Sequence, residues 1–467
     1  MERGPTASAG PGHCAPLRRV LGLRDLVFYG IVLITPVAPV GMFGVASKIS
    51  EGHAVASILL AMVAMSLTAY SYGKMACLYP ESGSAYAYVS RGLNPHLGFL
   101  AGWLMLMGYL VIPVVNVIYV ALTIQRVAPW FPFQALALAI ALCMTYLNLR
   151  GIEFTARANQ VLLASMFVLI GLFFALGVRF VFNAAGWAGL LSAEPFYNPE
   201  TFRLSSVATA TSLAALTFIG FDGVTTLAEE TRNPRRTVPA AVVLTCLFTG
   251  ILSAAELYLA QRVWPDYRSF ANPETAFLDV SHRAGGAFLL HGMAGVLAAA
   301  CFGSGFSGQA AAARLLYGMG RDRVIPLAAL VRISPASGAP HLNILFVGAL
   351  AAAGAFVLNY ERSAALLNFG AFLAFMLVNA ACIRKCFFSA PTGERQMRHL
   401  LIPGAGFMFC LWIWTSLPKA AWIAGGAWLG AGIVWGAVRT RGYRSSSLRI
   451  DFGVVEAADR RGAEGGS

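Results

Sequence analysis

Residues Leu26–Ser47 read LVFYGIVLITPVAPVGMFGVAS, twenty-two positions without an Asp, Glu, Lys or Arg. About 20 apolar residues carry a helix across the ~30 Å hydrocarbon core of a bilayer, so the stretch is long enough to span. Its middle does not suit a plain helix. Thr35, Pro36, Pro39, Gly41 and Gly44 interrupt the run. Proline removes a backbone donor and clashes with the preceding turn, and two prolines three apart with glycine following predict a break. A second interruption falls at Thr217, Gly220, Asp222 and Gly223, between the apolar segment that starts at Leu204 and Glu229. Taken singly, glycines and prolines only bend membrane helices, because neighbours re-satisfy the freed backbone.

Ten further uncharged runs surround these two. They are 52–73, 97–125, 127–149, 158–178, 237–255, 284–313, 333–360, 363–383, 399–418 and 420–438, which with 26–47 and 204–221 make twelve. The breaks therefore fall in spans one and six, at corresponding places in two five-helix halves. Paired interruptions of that kind point to an inverted-repeat transporter whose site lies between discontinuous helices at the bilayer midplane. Broken helices leave N–H and C=O groups that hold a carboxylate, an ammonium or an ion without a charged side chain.

Composition agrees. Of 467 residues, 58% are hydrophobic and only 12% charged, half the charged share of a soluble protein. A soluble fold with this mixture would expose apolar patches everywhere. The net charge of +13 resides in short loops between apolar runs, so no nucleic-acid partner is expected. With the N-terminus placed in the cytoplasm, 25 of the 34 Lys and Arg residues fall on the cytoplasmic side, the bias of a multi-pass protein with both termini inside. Residues 1–20 read as a disordered N-terminus without a cleaved leader, and 441–467 as a cytoplasmic tail. Residues 21–440 read as one membrane domain: about 21–200 for the first repeat, 201–388 for the second and 399–440 for two last helices.

Other function classes lack their signatures. The cysteines are scattered singly, without a C-x-x-C pair, and His53, His96 and His282 form no ligand-spaced cluster, so no metal or cofactor is expected. No H-E-x-x-H, G-x-S-x-G or aspartate pair marks an embedded enzyme. No filter loop or ring of like charge marks a channel, and no Walker sequence marks a pump.

Three motifs carry a family resemblance. FIGFDGVTTLAEETRNPRRTVP at 218–239, YPESGSAYAYVSRGLNPHLGFLAGW at 79–103 and RLLYGMGRD at 314–322 resemble, in order and spacing, the signatures of the amino acid–polyamine–organocation permeases. The resemblance covers about residues 20–440. It is closest to bacterial putrescine importers through YGIVLITP and GFDGVTTLAEET. It implies an all-α integral membrane protein of twelve transmembrane helices in the LeuT-type fold, a 5+5 inverted repeat with helices 1 and 6 discontinuous, plus helices 11 and 12. It implies no enzyme but a plasma (inner) membrane permease, working by alternating access on an amino acid or related amine. Carried over, the substrate site comprises Thr35, Pro36 and Gly41, then Leu216, Thr217, Phe218 and Ile219, with Tyr109 and Ser304 facing them.

The departures from the importers matter. Gly41 and Gly108 stand where those proteins carry acidic residues, and a dication in a low-dielectric site needs anionic partners. Met166 replaces a lysine that substitutes for sodium in some relatives. A neutral or zwitterionic amino acid is therefore the expected substrate, with putrescine or another polyamine as the alternative and exchange as the alternative to symport. Asp222 is the one acid near the middle of a span; a charge there costs ~2.5–3.5 kcal/mol on insertion scales, which marks it as functional. Proton symport, with Asp222 as carrier or gate, is the expected coupling; a sodium site using Ser304 and Ser307 is the alternative. Glu81, Glu229 and Glu230, near Lys74, Arg91 and Arg232, read as cytoplasmic gating residues or solvated charge. Glu256 reads as a shallower acid near the outer interface, within reach of water or Arg262.

Overall fold

The computed structural model describes residues 20–79, 85–151, 156–321, 324–325, 328–333, 340–391, 395–440 and 442. Over these the chain is helical without a strand; one isolated bridge joins Leu21 to Thr231. The helices are α1 (Leu23–Ile34), α2 (Ala38–Ile49), α3 (Ala54–Leu78), α4 (Ala85–Gly92), α5 (Pro95–Val127), α6 (Phe133–Leu149) and α7 (Ala156–Leu190). There follow α8 (Leu204–Ala214), α9 (Pro234–Val263), α10 (Ala276–Arg321), α11 (His341–Val357), α12 (Tyr360–Ile383), α13 (Arg398–Thr415) and α14 (Lys419–Arg439). Among the described residues eight helical segments are long and apolar enough to cross a membrane, or nine with α1 and α2 taken as one bent span. The apolar helices α6 and α11 are shorter, at 17 residues each. Large apolar side chains such as Val168, Ile251, Phe346 and Val434 point outward from the bundle, as a lipid-facing surface requires.

Both interruptions are real, and they are built differently. α1 stops at Ile34 and α2 starts at Ala38, with 54° between them. Thr35 takes φ 66, ψ 106, off the right-handed helix, as a residue before proline is biased to be. Pro39 then falls in the first turn of α2, where its missing N–H costs nothing. The break is thus confined to 35–37, and Pro39, Gly41 and Gly44 lie inside α2. In the sixth run α8 ends at Ala214 and passes into two 3₁₀ segments, Ala215–Phe218 and Phe221–Glu230, joined through Gly220 at φ 114. A Cβ on Gly220 would stand 3.3 Å from the Leu33 carbonyl oxygen, so the second break is seated on the end of α1.

Two packing groups follow. α3 lies along α9, with α1, α2, α8 and the 221–230 segment gathered around the pair; α5 lies along α10, with α6 and α11 beside them. α12 touches both α3 and α5. Lipid gives helices no hydrophobic reason to associate, so close contact over small residues does the work. Gly73 of α3 shows it, with a Cβ there falling 2.5 Å from Cα of Pro239.

Candidate functional site

A cavity of about 350 Å³ lies where the two groups meet, bounded by both breaks. The ends of α1 and α2 supply Leu33, Ile34, Thr35, Val37, Ala38 and Gly41; the second break supplies Leu216, Thr217, Ile219, Gly220 and Asp222. α5 faces them from Leu104 to Tyr119, α10 contributes Leu297, Ala300, Cys301 and Ser304, and α12 closes the side with Tyr360, Leu367, Ala371 and Phe375. The wall is mostly apolar, and Asp222 supplies its carboxyl.

The break explains why an acid can sit here. The Asp222 carboxyl lies against the backbone amides of Gly220, Asp222 and Gly223, at a turn where the α-helical hydrogen-bond ladder is interrupted. The break thus sets main-chain dipoles around the carboxyl, with a face left toward the cavity. Thr217 donates its hydroxyl to the Met42 sulfur at 3.6 Å, tying the second break to α2. Opposite, the Asn116 amide donates to Ile112 O at 2.9 Å and to the Ser304 hydroxyl at 3.4 Å, linking α5 to α10.

Aromatic rings close both ends. Tyr119 and Tyr360 meet at 5.1 Å between centroids, and a Cβ on Gly41 would reach the Tyr119 ring at 3.0 Å. Beyond them Phe43 packs on Phe270 and Phe277, and the Glu274 carboxylate accepts from the Tyr360 N–H at 3.1 Å. Arg126 pairs with Asp279 at 2.5 Å, fastening the end of α5 to the start of α10. At the other end Tyr72 meets Phe221 at 5.3 Å and Phe375 at 5.9 Å.

Of the residues expected at a substrate site, Thr35, Gly41, Tyr109, Leu216, Thr217, Ile219 and Ser304 line this cavity. Pro36 and Phe218 are buried behind the wall and do not line it. Ser307 does not line it either, although Ser304 does. Gly108 borders open space, with nothing within 4 Å of a Cβ built there. Glu81 and the Glu229 side chain lie outside the described residues. Glu230 acts through its main chain, its carbonyl accepting the N–H groups of Val20 and Leu21 at 2.9 and 3.0 Å. Lys74 lies over the Tyr70 ring and Arg91 over the Tyr79 ring. Among the described residues no three His, Cys, Asp or Glu side chains converge to hold a metal.

Asn116, Tyr119 and Tyr360 were missed by sequence reasoning. For the first two a signal existed, since Tyr109, Ile112, Asn116 and Tyr119 follow the i, i+3, i+7, i+10 spacing of one helix face. Tyr360 has no such signal, because it reaches the site from the head of a distant helix.

Comparison with known proteins adds the family context. The amino acid permease family profile matches residues 26–435. The chain is 31% identical over 439 residues to the low-affinity putrescine importer PlaP of Escherichia coli, covering 92% of this chain and 95% of that protein. It is 27% identical over 450 residues to the branched-chain amino acid permease BcaP of Bacillus subtilis, covering 90% and 92%. A methylthioribose transporter of Bacillus subtilis is 25% identical over 453 residues, with 89% and 92% covered.

Proposed function

The chain belongs to the amino acid permease family, and on that premise we propose that this membrane transporter carries a neutral or zwitterionic amino acid by proton symport. The observation that supports the substrate is the cavity itself: two helix breaks offer main-chain donors and acceptors, and Asp222 brings the carboxyl. Such a site matches one ammonium and one carboxylate, with apolar wall left for a side chain. A diamine is the second reading, favoured by the 31% identity to a putrescine importer; Gly108 leaves it room but no charge.

The order of elements supports twelve spans in an inverted repeat. The first half runs broken pair, α3, short α4, long α5, 17-residue α6, long α7. The second runs α8 with its 3₁₀ break, α9, the short piece of α10 before the left-handed Gly286, its long remainder, 17-residue α11, long α12. α13 and α14 follow as the last two spans of a single domain. The basic bias of the loops supports both termini lying in the cytoplasm, at the plasma membrane.

The mechanism then follows from the breaks. A substrate held between them touches both packing groups, so rocking one group against the other moves the opening from one face to the other while the site stays put. Asp222, on the second break, carries the coupled proton or gates its movement. The test is counterflow in proteoliposomes, screened against labelled amino acids and diamines, followed by Asp222→Asn under an imposed pH gradient. Loss of gradient-driven accumulation with substrate binding retained is expected. Full accumulation by the variant, sodium dependence of the wild type, or saturable putrescine uptake that no amino acid competes would overturn the corresponding part.

A further inference from the structure

A second acid lies away from the cavity wall. Glu256 is on α9 and is 0% exposed, and neither carboxyl oxygen has a hydrogen-bond partner among the described residues. α9 continues two turns beyond it, to Val263, so it does not reach the helix end as its sequence position suggested. Its direction follows from the register of its neighbours. Gly250 of α9 meets Met62 of α3, Leu259 meets Gly177 of α7, and Thr245 meets Gly30 of α1. Eleven residues separate Thr245 from Glu256, three turns of helix, so both occupy one face, turned into the bundle.

Charged and titratable groups of the surrounding elements have other surroundings. Cys246 is buried nearer the start of α9, and Tyr72 of α3 sits among Tyr88, Phe221 and Phe375. Toward the outer end, Glu51 takes Ser206 and Arg203, and His53 takes Ser50 and Asn198. Tyr258 bonds Leu190 and Ser192, Arg262 takes Gly189 and Glu194, and Asp279 takes Arg126. Arg283 of α10 lies over Phe180 and Trp264, while Lys48 of α2 is exposed. Among the described residues none of these hydrogen-bonds the Glu256 carboxyl.

A carboxylate without donor or cation is not sustained in such a place; the group neutralises instead. Asp222 lies against backbone amides of the second break, whereas the Glu256 carboxyl has no hydrogen-bond partner among the described residues, so the two acids sit in different surroundings. We propose that Glu256 is a proton-binding site of the transport cycle, occupied in the conformation described here and emptied when the packing around α9 opens and lets water in. This deepens the symport reading and rests on it: Asp222 becomes the gate, and Glu256 the carrier. α9, which buries Glu256, packs on the 221–230 segment that brings Asp222 to the cavity wall, and this connects loading of the proton to closure around the substrate.

The test uses the full chain. In wild-type minus Glu256→Gln infrared difference spectra at neutral pH, without substrate, a protonated-carboxyl stretching band is expected from the wild type. In proteoliposomes Glu256→Gln is expected to keep counterflow, while accumulation falls to the gradient-free level and substrate-driven proton uptake is lost. Absence of the infrared band, or pH-driven accumulation equal to wild type, overturns the proposal. Should Glu256→Gln not fold, Glu256→Asp decides it: a displaced pH profile of proton uptake supports the site, and an unchanged profile overturns it. The infrared reading needs no substrate, so its failure strikes Glu256 alone, whereas absent wild-type counterflow strikes the permease reading.

Discussion

The first break and the second solve one problem with opposite chemistry. Between α1 and α2 the chain is turned by proline, and a residue with a full side chain, Thr35, holds a positive φ of 66. In the second the turn belongs to glycine, at φ 114 and pressed on the Leu33 carbonyl. Proline breaks a helix by what it cannot do, and its rigidity leaves α2 to restart at once as a regular helix. Glycine breaks it by permission, and the chain continues as 3₁₀ turns, whose hydrogen bonds are poorer. The stiff break frames the site. The loose one carries the acid and the backbone donors around it. A cycle that must rearrange one wall more than the other has its softer material on the second break.

That contrast can be broken at its strongest point by Gly220→Ala. The left-handed conformation costs a residue with Cβ roughly 1–2 kcal/mol, and the methyl would also crowd the Leu33 oxygen at 3.3 Å. We expect transport to be abolished and the detergent melting temperature to drop; near-normal transport would mean the second break does not depend on glycine. A middle-sized effect is expected at Gly41. Its added methyl would meet the Tyr119 ring at 3.0 Å, whereas the same change at Gly108 meets nothing within 4 Å. Gly41→Ala should weaken apparent substrate affinity, and Gly108→Ala should leave folding intact. Equal effects in uptake and melting would show that the Tyr119 contact does not shape the site. The smallest effect belongs to Thr35→Gly. Relief of the positive φ is partly offset by the greater freedom of glycine in the unfolded chain, so thermal melts should show a gain of no more than about 1 kcal/mol. A large loss instead would assign the Thr35 side chain a role beyond filling the turn.

How far these features could be read in advance varies with their physical origin. The positions of both breaks were legible to within a few residues, because proline geometry and glycine permission are local properties. The sequence alone puts Pro39, Gly41 and Gly44 in the first break, whereas they lie within α2, since proline in a first turn favours a helix as readily as proline in the middle ends one. Asp222 was legible as a buried acid; the amides that receive it were implied by the break. Phe218 was placed on the substrate side and is buried behind the wall: a 3₁₀ segment turns side chains by a different angle from the α-helix.

Composition and the spacing of charge determined by themselves that this chain lives in a bilayer and is helical, and the places of its prolines and glycines that two of its helices are discontinuous. Each of those is a matter of local geometry or of transfer from water to hydrocarbon, summed along the sequence. Only the tertiary structure decided that Asn116, Tyr119 and Tyr360 meet at one cavity, and that Glu256 stands in the bundle with no hydrogen-bond partner among the described residues rather than at its edge beside Arg262. Depth and partnership depend on where a helix ends and which faces of remote helices it meets. For a carboxyl in a membrane those two quantities separate a solvated charge from a site that binds a proton.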